Sequence, residues 1–318
     1  MKKQKKVLTI GDALVTMNPI SKGPLRYVTH FERRAGGAEL NFAIGMARLG
    51  VDCKWISRLG KDEFGRAIFN FARGEGVDMS EVEFTDEYPT SINFKQINED
   101  GSGSTFYYRH PSPTLTMTKH LITDELLNDI DLIHITGVFL SINKKNIDMI
   151  ETLLKKAKEY KIPVSFDPNI RLKMWTIEEA RATFERIFPY VDIMLTGLDE
   201  LKMITNKIDE IDFIQFVNDY DIKELVIKDG ENGSKLYCNN TWYEQEAFNV
   251  NVVDTVGAGD GFDAGYIYGY LHEKDYESRL CFANGVGALV TTVSGDNEGL
   301  PYIEEVEAFI NNIQLIER

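Results

Sequence analysis

From about residue 131 the chain alternates short apolar segments with longer amphipathic ones, a rhythm that narrows the fold more than any other feature. Leu132 to Ile135, Val164 to Phe166, Ile193 to Leu195 and Leu225 to Ile227 read as short buried strands. The segments between them, about 143 to 160, 176 to 188 and 209 to 220, read as helices. Right-handed βαβ units are the usual solution, so an α/β fold is expected: a doubly wound, mostly parallel sheet with helices on both faces. Val7 to Ile10 adds an early strand ending at Gly11-Asp12, and Ala38 to Leu49 a helix closed by Gly50. Ile92 to Ile97 and Ser104 to Arg109 alternate about Asn98-Glu-Asp-Gly-Ser-Gly103, as a β-hairpin does. The segments of about 14–30 and 91–109 are expected to form a small β-sheet over the ligand end of the main sheet, a candidate lid. With no repeat, low-complexity tract or long linker, residues 1–318 are expected to form a single domain carrying that lid.

A formal net charge of −15 excludes general nucleic-acid binding, which needs basic surface. It leaves room for an anionic substrate, because a local set of arginines and N–H groups can override the global field. Cys53, Cys238 and Cys281 lack metal-ligand spacing and read as inert thiols in a reducing cytosol. The lysines at 2, 3, 5 and 6 precede only Val7 to Ile10, too short an apolar run for a signal peptide. No run reaches transmembrane length, so a cytoplasmic soluble protein is expected, with no membrane partner.

The most informative local run is Asp254-Thr-Val-Gly-Ala-Gly-Asp-Gly-Phe262. Val250 to Val253 read as the end of a strand and Ala264 to Leu271 as a helix. Gly257, Ala258 and Gly259 between them would let an anion approach successive N–H groups at the helix N-terminus. A carboxylate at Asp260 inside such a pocket is electrostatically costly, and makes sense as a proton acceptor beside a transferring phosphoryl group. The expected chemistry is phosphoryl transfer from a nucleotide to a hydroxyl, with Asp260 as general base. Asp12, Asp167, Asn169, Arg171 and the 196–200 turn should gather with it beyond the carboxyl ends of the strands.

Gly36-Gly37-Ala-Glu-Leu-Asn41-Phe-Ala43 is a second motif, with paired glycines for close ligand approach and Asn41 suited to hydroxyls. Alone it reads equally as a turn before an ordinary amphipathic helix. Together with Gly50, Gly60 and Asp254-Thr-x-Gly-Ala-Gly-Asp260 followed by Ala264-Gly265, it resembles the two signatures of the ribokinase-like (pfkB) carbohydrate kinases. Gly60-x-Asp62-x-x-Gly65, Asp167-Pro-Asn169 and Lys228-x-Gly230-x-x-Gly233 extend the resemblance over most of the chain. The resemblance implies ATP-dependent phosphorylation of a sugar hydroxyl with Mg2+, Asp260 as base and the amides around Gly257, Ala258 and Gly259 as anion hole. It implies Asp12, Gly36, Gly37 and Asn41 in the sugar pocket. Lys228, Gly230, Gly233, Ser234 and Asn284 would lie near the nucleotide. Asp12 as a turn carboxylate and Asn284 as a helix-surface amide are the alternatives. Asp62 reads as a turn residue, and His134, on an apolar strand, as structural. Many relatives carry Asn-x-x-Glu where this chain has Gly197-Leu-Asp-Glu200, so Glu200 alone remains to hold Mg2+ through water. No Walker A sequence occurs.

Neutral sugars are matched by carboxylates, amides and hydroxyls, whereas arginines in the pocket add bidentate recognition of a carboxylate. Tyr107 and Arg109 should share one face of the hairpin, with Tyr108 turned to the core. Arg171 reads as the carboxylate's partner, or else as half of a surface salt bridge, and Arg33 and Arg34 as solvated lid edge. The Phe106-Tyr-Tyr-Arg109 run and Gly261 after the base look like the 2-keto-3-deoxygluconate kinase branch, which implies an acid sugar and Asn169 among its contacts. A fructokinase or other neutral-sugar kinase on the same scaffold is the nearest rival, and a non-catalytic nucleotide- or sugar-binding module the rival of another class. An exposed lid sheet would also offer a surface for a homo-oligomer.

Overall fold

The computed structural model describes residues 4–99 and 103–313. Lys2 and Lys3, and residues 100–102 of the hairpin turn, lie outside them. The chain begins with β1 (Lys6–Ile10), leaves it for β2 (Leu14–Pro19) and β3 (Phe31–Gly36), and returns through α1 (Ala38–Arg48) to β4 (Asp52–Gly60). Helix α2 (Glu63–Gly74) leads to β5 (Val82–Thr85), after which β6 (Ser91–Ile97) and β7 (Gly103–Tyr108) follow. The alternating part then runs β8 (Leu132–Thr136), α3 (Gly137–Ile142), α4 (Asn146–Tyr160), β9 (Val164–Asp167), α5 (Ile177–Phe184) and β10 (Ile193–Gly197). It continues with α6 (Leu198–Thr205), α7 (Glu210–Tyr220), β11 (Glu224–Lys228), β12 (Ser234–Cys238) and β13 (Thr241–Gln245). Three helices close the chain: α8 (Ala258–Leu271), α9 (Tyr276–Thr291) and α10 (Ile303–Ile310).

The main sheet has the order β13-β12-β11-β10-β9-β8-β1-β4-β5, parallel from β11 to β5 with an antiparallel pair at the other edge. The chain builds one way from β1 to β4 and β5, and the other way from β8 to β11. The reversal opens a crevice where β1 and β8 meet. Alternate strand residues serve two cores. Val7, Leu132, Leu195 and Val226 join Phe42, Tyr266 and Phe282 on one face. Leu8, Ile133, Met194 and Leu225 join Leu153, Phe184 and Phe188 on the other. Burial of both faces explains why these strands read as near-continuous apolar runs. Each such side chain contributes about 1.5–3 kcal/mol.

Where structure and expectation differ, charge on a half-covered strand is the usual reason. Strand β4 was not legible, because Lys54 and Arg58 interrupt its apolar pattern; they ion-pair with Glu81 and Glu83 at the sheet's edge. The small sheet is β3-β2-β6-β7, with β2 and β6 parallel and the other pairs antiparallel. Its second strand lies at Phe31–Gly36, beyond the expected 14–30, since Glu32, Arg33 and Arg34 hide it. Val250 to Val253 do not form a strand. Val252 and Val253 are exposed, and the N–H groups of Val253 and Asp254 bond to Thr291 O. Helix α8 starts six residues before Ala264, which places Asp260 in its first turn.

Asp62 caps α2 and fastens the small sheet. Its carboxylate accepts Gly65 N–H, Thr90 N–H and Thr90 Oγ1–H, each at 2.8 Å, just ahead of β6. Asp62→Ala should lower stability by about 1–2 kcal/mol, read as a lower urea midpoint at unchanged slope. An unaltered midpoint would remove Asp62 from this role.

Candidate active site

A cavity of about 690 Å³ lies between the carboxyl ends of the parallel strands and the small sheet. Gly37, Asn41, Tyr107, Arg109, Asn169 and Arg171 line it, and so do Glu200, Lys228, Gly257, Gly259 and Asp260. Residues as far apart in sequence as Gly37 and Asp260 therefore share one wall, as ligand sites at a switch point do.

One end of the cavity is the N-terminus of α8. Gly257 is its N-cap at φ +78°, and a Cβ there would meet the Asp296 carbonyl at 2.0 Å. Asp254 shapes the turn by accepting Val256 N–H at 3.1 Å and Gly295 N–H at 3.3 Å. First-turn N–H groups lack intrahelical acceptors and carry the positive end of the helix dipole. Ala258 is not on the wall, and its N–H is directed to Thr255 O at 3.3 Å, so Gly257 and Gly259 form the anion-facing part.

Asp260 is buried on that wall. Asn41 Nδ2 donates to Oδ2 at 2.8 Å and Asn169 Nδ2 to Oδ1 at 3.4 Å. Asn297 in turn donates to Asn41 Oδ1 at 3.2 Å and to Ala35 O at 2.8 Å, fixing the amide that holds the acid. Burial pushes the Asp260 carboxyl up to about 7, with Asp167 adding to the shift and the Asn41 bond, Arg171 and Lys228 opposing it. Three residues on, Asp263 turns inward. Lys228 Nζ lies 2.9 Å from Asp263 and 3.2 Å from Asp167, tying α8 to the ends of β11 and β9. Burial would raise Asp167, yet Lys228, the Asp263 hydrogen bond and His134 together hold that carboxyl low, while burial drives Asp263 well above the usual range. A Cβ at Gly259 would sit 3.7 Å from Lys228 Nζ, so the ammonium underlies the anion-facing turn. Glu200 accepts Ile170 N–H at 2.6 Å and Gly197 N–H at 3.2 Å, and burial with Asp167 nearby raises its carboxyl.

The other end meets the small sheet. Asp12 is fully buried behind the wall and receives Arg109 Nε at 2.8 Å; it reaches the cavity through that guanidinium. Gly36 packs against the Asp296 carboxylate. Arg171 is exposed at the rim and, among the described residues, has no ion-pair partner. Tyr107 is on the wall, but Tyr108 is 68 % exposed, not turned to a core. The small sheet is open on that side, and among the described residues only Phe94 meets the Tyr108 ring edge-on. Arg33 is exposed, whereas Arg34 is pinned by Glu32, Glu298 and the Ser294 carbonyl. His134 is structural: it stacks on Phe42, meets Ser165 Oγ at 2.8 Å, and burial lowers it to about 3.

Gly230, Gly233, Ser234 and Asn284 lie off this cavity. The last three converge on Gln245: Gly233 packs against its carbonyl, Ser234 pairs with it across β12 and β13, and Asn284 Nδ2 donates to Gln245 O at 3.3 Å. Sequence reasoning missed Glu39, Lys95, Asp263 and Asp296. Glu39, inside the glycine motif, accepts Thr136 Oγ1–H and Phe139 N–H, and burial raises it to about 7. An acidic residue on the buried face of a helix was a usable signal for Glu39, as was the i, i+3 spacing for Asp263. Lys95 donates to Asp296 at 2.6 Å across 201 residues, and nothing local announces it.

The description "pfkB family carbohydrate kinase" matches residues 4–303. The chain is 32% identical over 308 residues to the 2-dehydro-3-deoxygluconokinase of Thermoproteus tenax, covering 96% of this chain and 94% of that one. It is 30% identical over 323 residues to fructokinase-1 of Zea mays, covering 98% of each. A putative ribokinase II from E. coli, solved in complex with ATP and Mg2+, superposes with a TM-score of 0.91 at 27% identity, covering 97% of this chain and 99% of that one. With the family pattern running over nearly its whole length, the chain belongs to the pfkB family of carbohydrate kinases, and it is a sugar kinase.

Proposed function

We propose that this kinase transfers the γ-phosphoryl group of ATP to the primary hydroxyl of an acid sugar, 2-keto-3-deoxygluconate, giving its 6-phosphate. The observation that carries the reading is the buried Asp260 carboxylate, steered by Asn41 and Asn169 beside Gly257 and Gly259, with an unpaired Arg171 on the same cavity.

Asp260 takes the hydroxyl proton as the alcohol oxygen bonds to phosphorus and the bond to the ADP oxygen breaks. A carboxyl raised to about 7 is matched to such a base near neutrality. First-turn N–H groups of α8 and the underlying Lys228 oppose the charge on the phosphoryl oxygens. The Gln245 neighbourhood, with Gly230, Gly233, Ser234 and Asn284, takes the nucleotide. Among the described residues no cluster of three metal-ligating side chains exists. Glu200 and Asp167 on the wall would hold an Mg2+ ion through its waters. Such an ion offsets charge on the transferring group. At the other end Arg171 and Arg109, with Tyr107, meet the sugar's carboxylate. Arg109 arrives preoriented, since Asp12 holds Nε while Nη2 has no partner among the described residues. The small sheet acts as a lid on one folding unit, and its exposed Phe106 and Tyr108 offer the surface for pairing of two copies. Three free cysteines suit a reducing cytoplasm.

Asp260→Asn should lower kcat by about 10²–10⁴-fold with ATP and sugar binding retained; near-normal turnover removes the base. Binding of both ligands by the wild-type protein without phosphorylated product would leave only the binding-module reading.

The same burial sets two pH signs. Since the base works deprotonated, kcat/KM should fall as pH drops through about 7. For stability, the folded value lies above the unfolded one of about 3.9. The contribution is therefore full below pH 4 and lost as pH rises through 7. Asp260→Asn should accordingly raise Tm at pH 8 and not at pH 4. A Tm gain equal at both pH values would contradict this.

ATP consumption with 2-keto-3-deoxygluconate, fructose and ribose separates the acid-sugar reading from the fructokinase one. Arg171→Ala should reduce kcat/KM for the acid sugar by roughly 10–100-fold and spare residual neutral-sugar turnover. Equal loss on all three would remove Arg171 from the carboxylate.

A further inference from the structure

The inner face of the small sheet carries one polar group that the foregoing chemistry does not use. Asn93, in the middle of β6, is 5 % exposed and lines the cavity. Among the described residues its amide makes no hydrogen bond, and its Oδ1 is buried without a partner. One neighbour on the face is otherwise occupied. Two residues on, Lys95 is held by Asp296 at 2.6 Å, and Asp296 also accepts Thr16 Oγ1–H at 3.3 Å. Directly across the strand pair stands Tyr107, and across from Lys95 stands Thr105, both on the cavity wall.

A buried amide left unpaired inside a protein is unfavourable unless something else completes it. Two structural remedies are closed here. The residue sits in a regular ladder between β2 and β7, so it is not a turn former bonding its own backbone. Lys95, the nearest cation on the strand, is already committed to Asp296 and neutralised by it. What remains is a group entering the cavity. A hydroxyl can both donate and accept, so it satisfies the amide in either of its two flipped orientations. A carboxylate meets only its NH2 side, and the candidate arginines are better partners for that.

We infer that Asn93 is a specificity residue that hydrogen-bonds a secondary hydroxyl of the acceptor sugar, distinct from the hydroxyl delivered to Asp260. The inference rests on the sugar-kinase reading above. It gives the pocket three contacts of different chemistry: a base for the reacting hydroxyl, a guanidinium for the acid group, and an amide that counts a hydroxyl between or beside them. Sites built to bond a hydroxyl reject analogues that lack it far more strongly than apolar pockets do.

The test is a substitution crossed with substrate editing. Wild type, Asn93→Leu and Asn93→Ala are assayed with the best acceptor of the panel and with its analogues, each lacking one secondary hydroxyl, and melting curves establish that the variants fold. Leucine keeps the volume and alanine leaves space, so a shared effect is one of polarity. Both variants should raise KM on the order of 10- to 100-fold with kcat little changed, because the bond is made equally in ground and transition states. For one deoxy analogue, wild type and variants should be equally poor, since the partner is already missing. Folded variants with unchanged KM, or losses that simply multiply with every analogue, overturn the assignment while leaving the kinase intact. If wild type phosphorylates no sugar at all, the functional reading falls and takes this assignment with it.

Discussion

The arrangement depends on a single ammonium. Lys228 ends β11, Asp167 ends β9 and Asp263 sits one turn into α8, and the pairing of the three fixes the helix N-terminus over the strand ends. Charges so deeply placed gain little net stability, because desolvation consumes most of their attraction. Removing one partner is different, since an uncompensated buried charge then remains. The cluster is better understood as a locating device. Asp260 and Asp263 lie three residues apart on one helix, so anchoring the second inward presents the first to the cavity. Gly259, close to the ammonium, then lies on the cavity wall beside Asp260.

Around that anchor the site solves an electrostatic problem. A chain of net charge −15 gathers Asp12, Glu39, Asp167, Glu200, Asp260, Asp263 and Asp296 about a place suited to phosphate. Most are answered locally. Arg109 faces Asp12, Lys95 faces Asp296, Lys228 faces Asp167, and backbone N–H groups face Glu200. Glu39 and Asp260 receive only neutral donors, and burial raises both to about 7. The two behave alike for different reasons of place: Glu39 is sealed under Gly11, where a Cβ would strike its carboxyl at 2.3 Å, whereas Asp260 opens on the cavity. Access, not proton affinity, separates the sealed acid from the one that faces the cavity.

Much of the architecture could be read from residue order. Strands buried on both faces, such as Leu132 to Ile135, leave compact apolar runs, and the glycines around Asp260 leave a short dense motif. What escaped was long-range or charged. Arg33 and Arg34 disguise β3 because one points to solvent while the other, on the opposite face, is answered by Glu32, Glu298 and the Ser294 carbonyl. Lys54 and Arg58 disguise β4 because their ion pairs lie at the sheet's edge. Tyr108 was read by alternation as core-facing, which assumes that one side of the strand is covered; here neither is. Asn41 was legible as a polar residue after glycines, but not as the donor that steers Asp260 across 219 residues. Local patterns report what a segment needs from its neighbours, and do not name the neighbour.

Asp296 shows how far such an unnamed neighbour can reach. Its carboxylate accepts Lys95 and Thr16 from the small sheet, and the absence of a side chain at Gly36 makes room for it. Its own carbonyl packs on Gly257, where α8 begins, and Gly295 beside it donates to Asp254 at the base of the same turn. One loop thus touches both the small sheet and the turn that opens α8. Withdrawing the small sheet from the cavity has to break contacts to the residue that backs the anion-facing turn. The small-sheet end and the α8 end are therefore not independent halves of a pocket: the packing that shapes one is continuous with the packing that shapes the other, and the missing side chain at Gly257 is what lets the two surfaces come that close.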